Sequence, residues 1–290
     1  MRVVVTGSAG RVGRNIYIHL MSFCEVKGID LIPCSTVDYL GDIRDSTLLR
    51  EALTDVDVVI HTAALHAPHV GVRSDEEFID INVNATKLIA KIAVEQGVSH
   101  IVFTSTTALY GRTSTTHGEA SWVTENETPL PRTIYHKSKI QAEQLLQRVS
   151  EEKCLPITVL QMSRCFPEPA DMMAVYRLNR GVDARDVAAA HACAIKARPN
   201  GFTRYIISAS SPFNSSDCER LYCRAEDVIR ECSPNLVREF HRRGWRLPVS
   251  LDRVYDSSLA QKELMWTPKY GYEEVFAQLD ACIAEVLPVC

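Results

Sequence analysis

No C-x-x-C pair occurs among the ten cysteines of this 290-residue chain. The spacing therefore offers neither a zinc site nor a disulfide framework; the thiols are expected to be reduced, and no metal is expected. No run of about eighteen apolar residues exists, and Met1-Arg2-Val3-Val4-Val5 leads into a glycine loop instead of a signal-peptide core. A cytoplasmic protein with no membrane partner is expected. Charge of one sign is scarce as well: 32 basic against 36 acidic side chains leave a net charge of -4, which gives no general attraction to nucleic acid or an anionic membrane. Neither an internal repeat nor a low-complexity tract is present. A small-molecule partner is what these absences leave.

What is present is a regular alternation. Short β-branched runs over 2–6, 25–30, 57–62, 100–105 and 156–161 read as strands, and amphipathic stretches over 12–23, 46–53, 75–95 and 133–152 read as helices. Asp45 or Ser46 can cap the second helix, and Gly97 can end the third. The pattern predicts an α/β chain with a doubly wound parallel sheet over residues 1–165. Beyond it the alternation weakens, with a strand over 204–209 and helices over 217–232, 235–243 and 273–285. Residues 166–290 are expected to form mainly a smaller substrate-binding region that also returns elements to the sheet. Pro129-Leu130-Pro131 and Pro167-Glu168-Pro169 mark loops.

Gly7, Gly10 and Gly13 stand between the first predicted strand and the first predicted helix. Missing side chains there let the backbone approach a pyrophosphate at the positive end of a helix. Asp30 lies seventeen residues beyond Gly13, at the end of the second predicted strand. A carboxylate at that place accepts both ribose hydroxyls and repels a 2′-phosphate, which favours NAD over NADP. Arg11 argues the other way, since a guanidinium beside the loop can pair with that phosphate.

Tyr135 and Lys139 stand four apart on a predicted helix, so their side chains share a face. A tyrosine of pKa near 10 is a poor base at neutral pH, and a neighbouring ammonium favours its phenolate. The pair thus suits proton transfer that accompanies loss of hydride from an alcohol.

Thr6-Gly7-x-x-Gly10-x-x-Gly13, Gly41-Asp42-Ile43-Arg44-Asp45, His61-Thr62-Ala63-Ala64, Thr104-Ser105-Thr106-Thr107-Ala108-Leu109-Tyr110-Gly111, Tyr135-x-x-x-Lys139 and Leu264-Met265-Trp266-Thr267-Pro268 occur in this order. Together, over nearly the whole chain, they resemble the extended short-chain dehydrogenase/reductases, the NAD-dependent epimerase/dehydratase group. The resemblance implies a Rossmann sheet, with Gly7, Gly10, Arg11, Val12 and Gly13 on the cofactor's pyrophosphate. It places Asp42 and Ile43 beside the adenine, and Thr62, Ala63 and Ala64 beneath the cofactor. Thr106, Tyr135 and Lys139 match the family's catalytic residues, Lys139 also holding the nicotinamide ribose. Strand alternation sends Ser105 and Thr107 away from the Thr106 side. A homodimer through the helices over 75–95 and 133–152 is likewise implied.

The pattern also breaks. Sugar 4,6-dehydratases carry an Asp-Glu pair where this chain has Thr107-Ala108, which argues against dehydration. The Arg-Tyr-Phe-Asn stretch of many nucleotide-sugar epimerases is Arg164-Cys165-Phe166-Pro167 here. Pro167-Glu168-Pro169 with Tyr176-Arg177 resembles uronate dehydrogenases instead, and makes Arg177 a contact for a sugar carboxylate or a phosphate. The alternative for Arg177 is a solvated loop or an ion pair with Asp183 or Asp186. His61 reads as a packed structural histidine. His66, and less so His69, can face substrate or simply water. Arg238, His241, Arg242 and Arg243 read as a solvated helix face. The expected function is NAD-dependent hydride transfer on a sugar or nucleotide sugar, as an epimerase or a dehydrogenase. The competing expectation is a regulatory protein that binds NAD(P) without chemistry.

Overall fold

Successive strand side chains point to opposite faces, and the opening run of valines divides accordingly. Val3 and Val5 enter one apolar core and Val4 the other. The computed structural model describes residues 1–111 and 118–289. Nine strands form among them: β1 (Arg2–Thr6), β2 (Glu25–Asp30), β3 (Tyr39–Leu40), β4 (Val58–His61), β5 (His100–Thr106), β6 (Ser121–Val123), β7 (Ile157–Met162), β8 (Phe202–Ile207) and β9 (Arg253–Tyr255). Seven of them make one parallel sheet in the order β3-β2-β1-β4-β5-β7-β8. The remaining two, β6 and β9, pair in parallel as a separate small sheet.

Helices α1 (Arg11–Leu20), α2 (Ser46–Ala52), α3 (Asp75–Ile79), α4 (Ala85–Glu95), α5 (Ile134–Lys153), α6 (Ala170–Asn179) and α7 (Ala184–Ala197) follow in chain order. Ile16 and Leu20 of α1 pack with Val187 and Ala194 of α7 against the Val3 and Val5 face. Leu49 of α2, Ile89 of α4 and Leu146 of α5 cover the Val4 face. The expected doubly wound sheet is thus present. Asp45 caps α2, its carboxylate accepting from the amides of Thr47 and Leu48. Chain order runs outward from β1 in both directions, so the carboxyl ends of β1 and β4 border a crevice, the usual ligand site of such a sheet.

The second half contributes more to the sheet than one strand, since both β8 and α7 lie beyond residue 165. Its other helices, α8 (Cys218–Cys223), α9 (Ala225–Cys232), α10 (Pro234–Arg243), α11 (Ser258–Glu263) and α12 (Tyr272–Asp280), follow β8. Of these, α8, α9, α10 and α12 join α6 around Phe213, Leu221, Leu236 and Phe276 in a core of their own.

Three expected helices differ. The stretch over 75–95 is broken by a wide π turn at Asp80–Asn84. That turn sets the Asn82 amide against the backbone of Leu65 and the hydroxyl of Ser138. The helix over 217–232 breaks at Arg224, whose φ of -149° and ψ of 54° leave the helical region. The last helix ends at Asp280. The helices α6 and α7 escaped the sequence reading because they are buried on several sides, which blurs the amphipathic stripe. The short strands β3, β6 and β9 carry too few residues for any period.

Among the described residues, no helix is long and apolar enough to cross a membrane. The outer faces of α4 and α5, expected to join two copies, expose Lys87, Lys91, Gln141, Gln144 and Arg148. None of the large exposed apolar side chains of the described residues lies on either helix. A dimer through this face would rest on polar contacts.

Candidate active site

At the carboxyl end of β1 the chain must reverse within a few residues. Gly7 does so at φ +72°, and a Cβ there would stand 2.8 Å from the Ala63 amide. A Cβ on Gly13 would stand 2.1 Å from the Gly7 carbonyl oxygen, so the start of α1 is pressed against its own loop. Gly10 is the N-cap, with no capping side chain and no acid in the first turn of α1. The free amides of this helix end suit an anion. Arg11 leans over the same place. Its Nη2 pairs with Glu285, while its Nε and Nη1 are buried without a partner among the described residues. This ion pair ties Arg11 to the C-terminal segment.

Thr62 and Ala63 follow β4 and are locked to β1: the Thr6 carbonyl accepts from the Thr62 hydroxyl at 2.6 Å, and the Thr6 hydroxyl accepts from the Ala63 amide at 3.3 Å. Asp30, at the end of β2, accepts from the amides of Ala9 and Ile32 at 2.9 and 3.0 Å. Asp42 is held by the Arg44 guanidinium, whose hydrogen bonds keep its carboxyl below the usual range. All of these, with Val12, Ile43 and Ala64, line one cavity of about 540 Å³. A glycine cradle that a Cβ would fill, an uncapped helix end, unsatisfied guanidinium nitrogens and a carboxylate at the neighbouring strand end fit a dinucleotide carrying a pyrophosphate and a ribose.

The other end of the cavity carries Thr106, Tyr135 and Lys139. Thr106 ends β5 and accepts from the Ala108 amide at 3.1 Å. Burial pushes the Tyr135 phenol up to about 12, against which a hydrogen bond with Thr106 works. Ser105 and Thr107 also touch the cavity, but Ser105 gives its proton to Glu143 and Thr107 faces the Met162 carbonyl at 3.5 Å. Lys139 is buried, donates to the Thr104 carbonyl at 2.7 Å and lies 3.8 Å over the Phe103 ring. Burial takes its ammonium down to about 7, with Glu143 opposing.

His61 is fully satisfied by the hydroxyls of Thr6 and Thr86 at 2.7 and 2.9 Å, and burial keeps it neutral with a pKa of about 3. Its packing role is as read. His66 is on the cavity wall, stacked on Phe166 with ring centres 5.4 Å apart, and its Nδ1 is buried without a partner among the described residues. His69 is turned back to accept from the His66 amide.

Of the two readings of Arg177, the ion pair with Asp183 is the one found, and the expected substrate contact is not. The α6 helix turns it inward, 3% exposed, to pair with Asp183 at 3.1 Å, and it does not line the cavity. Besides Arg11, the arginines that do are Arg164, Arg180 and Arg253, joined by Tyr255 and Phe166. Arg180 lies just past α6, stacks on Tyr176 at 4.6 Å, pairs with Asp252 at 3.1 Å and leaves Nε buried without a partner among the described residues. Arg253 reaches the Gly111 carbonyl at 3.3 Å. Arg164 and Phe166 stand in the Arg164-Cys165-Phe166-Pro167 stretch quoted above, whereas nothing in the local sequence marks Arg180, Arg253 or Tyr255; Arg180 stands three positions beyond Arg177, just past the end of α6. The arginines of α10, Arg238, Arg242 and Arg243, pair with Asn235, Glu239 and Asp280 away from the cavity.

Residues 3–173 match the model of the NAD dependent epimerase/dehydratase family. A 3 beta-hydroxysteroid dehydrogenase/Delta 5-->4-isomerase of Vaccinia virus is 32% identical over 161 residues, which is 50% of this chain and 45% of that protein. A UDP-glucose 4-epimerase of Halalkalibacterium halodurans is 30% identical over 161 residues, covering 52% and 47%. The chain thus spans about half the length of the curated relatives it matches. In fold it is similar to a short-chain dehydrogenase/reductase superfamily protein of Agrobacterium tumefaciens with bound NAD, at a TM-score of 0.73 and 18% identity over 98% of this chain and 96% of that one. The chain belongs to the NAD dependent epimerase/dehydratase family.

Proposed function

We propose that the protein oxidises a secondary carbinol of an anionic sugar-type substrate, a sugar acid or a nucleotide sugar, with NAD as acceptor. The observation that carries this reading is the convergence of Thr106, Tyr135 and Lys139 on one cavity whose far end is a dinucleotide cradle. The substrate hydroxyl sits between the Thr106 hydroxyl, which fixes its orientation, and the Tyr135 oxygen, which takes its proton. Tyr135 reaches the phenolate by cation support, which Lys139, one turn away, supplies while it holds its proton. Bound NAD supplies the hydride acceptor and the positive charge of its nicotinamide. Gly7, Gly10, Val12 and Gly13 hold its pyrophosphate, Asp30 its adenosine ribose, and Lys139 its other ribose.

Arg164, Arg180 and Arg253 line the same cavity as His66 and Phe166. Guanidinium forks suit a carboxylate or phosphate and do not suit a steroid. In this reading residues 1–165 carry mainly cofactor contacts and residues 166–290 mainly substrate contacts. Thr107-Ala108 offers no acid for dehydration. A second reading, epimerisation, is favoured by the similarity to a UDP-glucose 4-epimerase: the ketone turns in the cavity and is reduced on its other face. A homodimer through α4 and α5 is the assembly proposed, to be tested by light scattering.

The test is incubation with NAD and a panel of uronic acids, UDP- and GDP-sugars, neutral sugars and a 3β-hydroxysteroid, following NADH absorbance and then separating products. Stoichiometric NADH from a sugar acid supports the dehydrogenase; an isomerised nucleotide sugar without net NADH supports the epimerase. Turnover of the steroid alone overturns the proposal. Tight NAD binding with no turnover of any member leaves the regulatory reading.

A further inference from the structure

Helix α5 carries Tyr135, Lys139 and Glu143 one turn apart, and β5 carries Thr104, Ser105 and Thr106 in succession. The two sets are joined residue to residue. Tyr135 meets Thr106, Lys139 Nζ meets the Thr104 carbonyl, and Glu143 meets the Ser105 hydroxyl. Glu143 is 4% exposed and is absent from the cavity wall. A carboxylate is kept in such a place only when its oxygens are satisfied. Here Oε1 accepts from Ser105 and from Gln161 Nε2, and Oε2 accepts from Arg204 Nε at 2.9 Å. The Gln161 amide oxygen in turn accepts from the Tyr110 hydroxyl at 2.8 Å.

We infer that Glu143 is a positioning residue for the hydride chemistry: it keeps Lys139 in its ammonium form and locks α5 on β5 so that Tyr135 meets Thr106. The inference rests on the function proposed above. The groups around Lys139 are Tyr135 and Glu143 of its own helix, the Phe103 ring and Thr104 carbonyl of β5, and His61 of β4, which is neutral. Around Glu143 stand Lys139, Arg204 of β8, Gln161 of β7, Ser105 of β5 and Tyr110 beyond it. Glu143 is the acid whose field opposes the burial of the Lys139 charge. Arg204, half-exposed at the sheet edge, partly neutralises that field.

Opposite signs follow for two substitutions. Glu143→Gln keeps the shape and removes the negative charge; Arg204→Gln keeps the carboxylate and removes its cation. The alkaline midpoint at which NADH affinity falls, read by energy transfer from tryptophan to bound NADH, should move down by about one pH unit in Glu143→Gln and up by a smaller step in Arg204→Gln. The midpoint of kcat should move with it. Midpoints that coincide with the wild type, or that move together in one direction, overturn the inference, because a merely structural role disturbs both alike. If Glu143→Gln does not fold, the sign in Arg204→Gln decides. Because the binding titration needs no substrate, a wild type that shows the midpoint yet turns over nothing refutes the proposed function and leaves the charge effect supported.

Discussion

Replacing Lys139 by methionine should stabilise the protein at neutral pH while abolishing its turnover. Lys139 is 3% exposed, and burial takes its amine from an ordinary 10.5 to about 7. A gap of about 3.5 pH units, at about 1.36 kcal/mol per unit, sets about 5 kcal/mol against folding. Above about pH 10.5 the amine is neutral folded or unfolded and nothing is lost. Between there and about pH 7 only the unfolded chain holds the proton, so stability falls as pH falls, and below about pH 7 the penalty is complete. Methionine has nearly the volume of the lysine stem, and Glu143 keeps Arg204 as its partner. The loss of the bond to the Thr104 carbonyl costs about 1 kcal/mol, and the contact over Phe103 about 1–2 kcal/mol. A net gain of about 1–3 kcal/mol at pH 7 is expected. At pH 9 the penalty has shrunk to about 2 kcal/mol, so the advantage should narrow by about 3 kcal/mol and reach zero or reverse. Urea unfolding followed by circular dichroism at pH 6, 7, 8 and 9 measures this. A Lys139→Met protein less stable than wild type at pH 7, or a difference that stays flat with pH, refutes the reasoning.

Tyr135→Phe should cost at least about 10³-fold in turnover while NADH affinity stays within about threefold, which separates chemistry from cofactor binding. Gly13→Ala places a Cβ 2.1 Å from the Gly7 carbonyl oxygen, whereas Gly10→Ala meets the same atom at 3.3 Å. The former should lower both Tm and NADH affinity, by about 1–3 kcal/mol in stability, and the latter should spare stability in a thermal melt. Arg177→Met should destabilise by about 3 kcal/mol with KM unchanged. Arg180→Met should do the reverse, raising KM for an anionic substrate about tenfold or more at unchanged Tm; equal KM effects of the two would restore Arg177 to the substrate.

The strand, glycine loop and helix at Arg2–Leu20 were legible because each signal is local: a β-branched run, glycines where no Cβ fits, then an amphipathic stretch. Tyr135 and Lys139 were legible as a pair for the same reason, one helical turn apart. Arg177 was left between a substrate contact and an ion pair with Asp183 or Asp186 because a stretch of helix buried on several sides gives no phase from which to read the inward face. The π turn that presents Asn82 to Leu65 and Ser138 lay inside what read as one continuous helix.

By itself the sequence determined the longer strands and helices of residues 1–165, the two faces of the sheet and the chemistry carried at the ends of those strands, because periodicity, turns and caps act between near neighbours in the chain. Only the tertiary structure decided which charges are buried and what satisfies them. Lys139 with Glu143 and Arg204, Arg177 with Asp183, and Arg180 beside Arg253 owe their states to groups brought from distant positions in the chain. The cost of removing a charge from water, and the partner that offsets it, exist only once those groups have met.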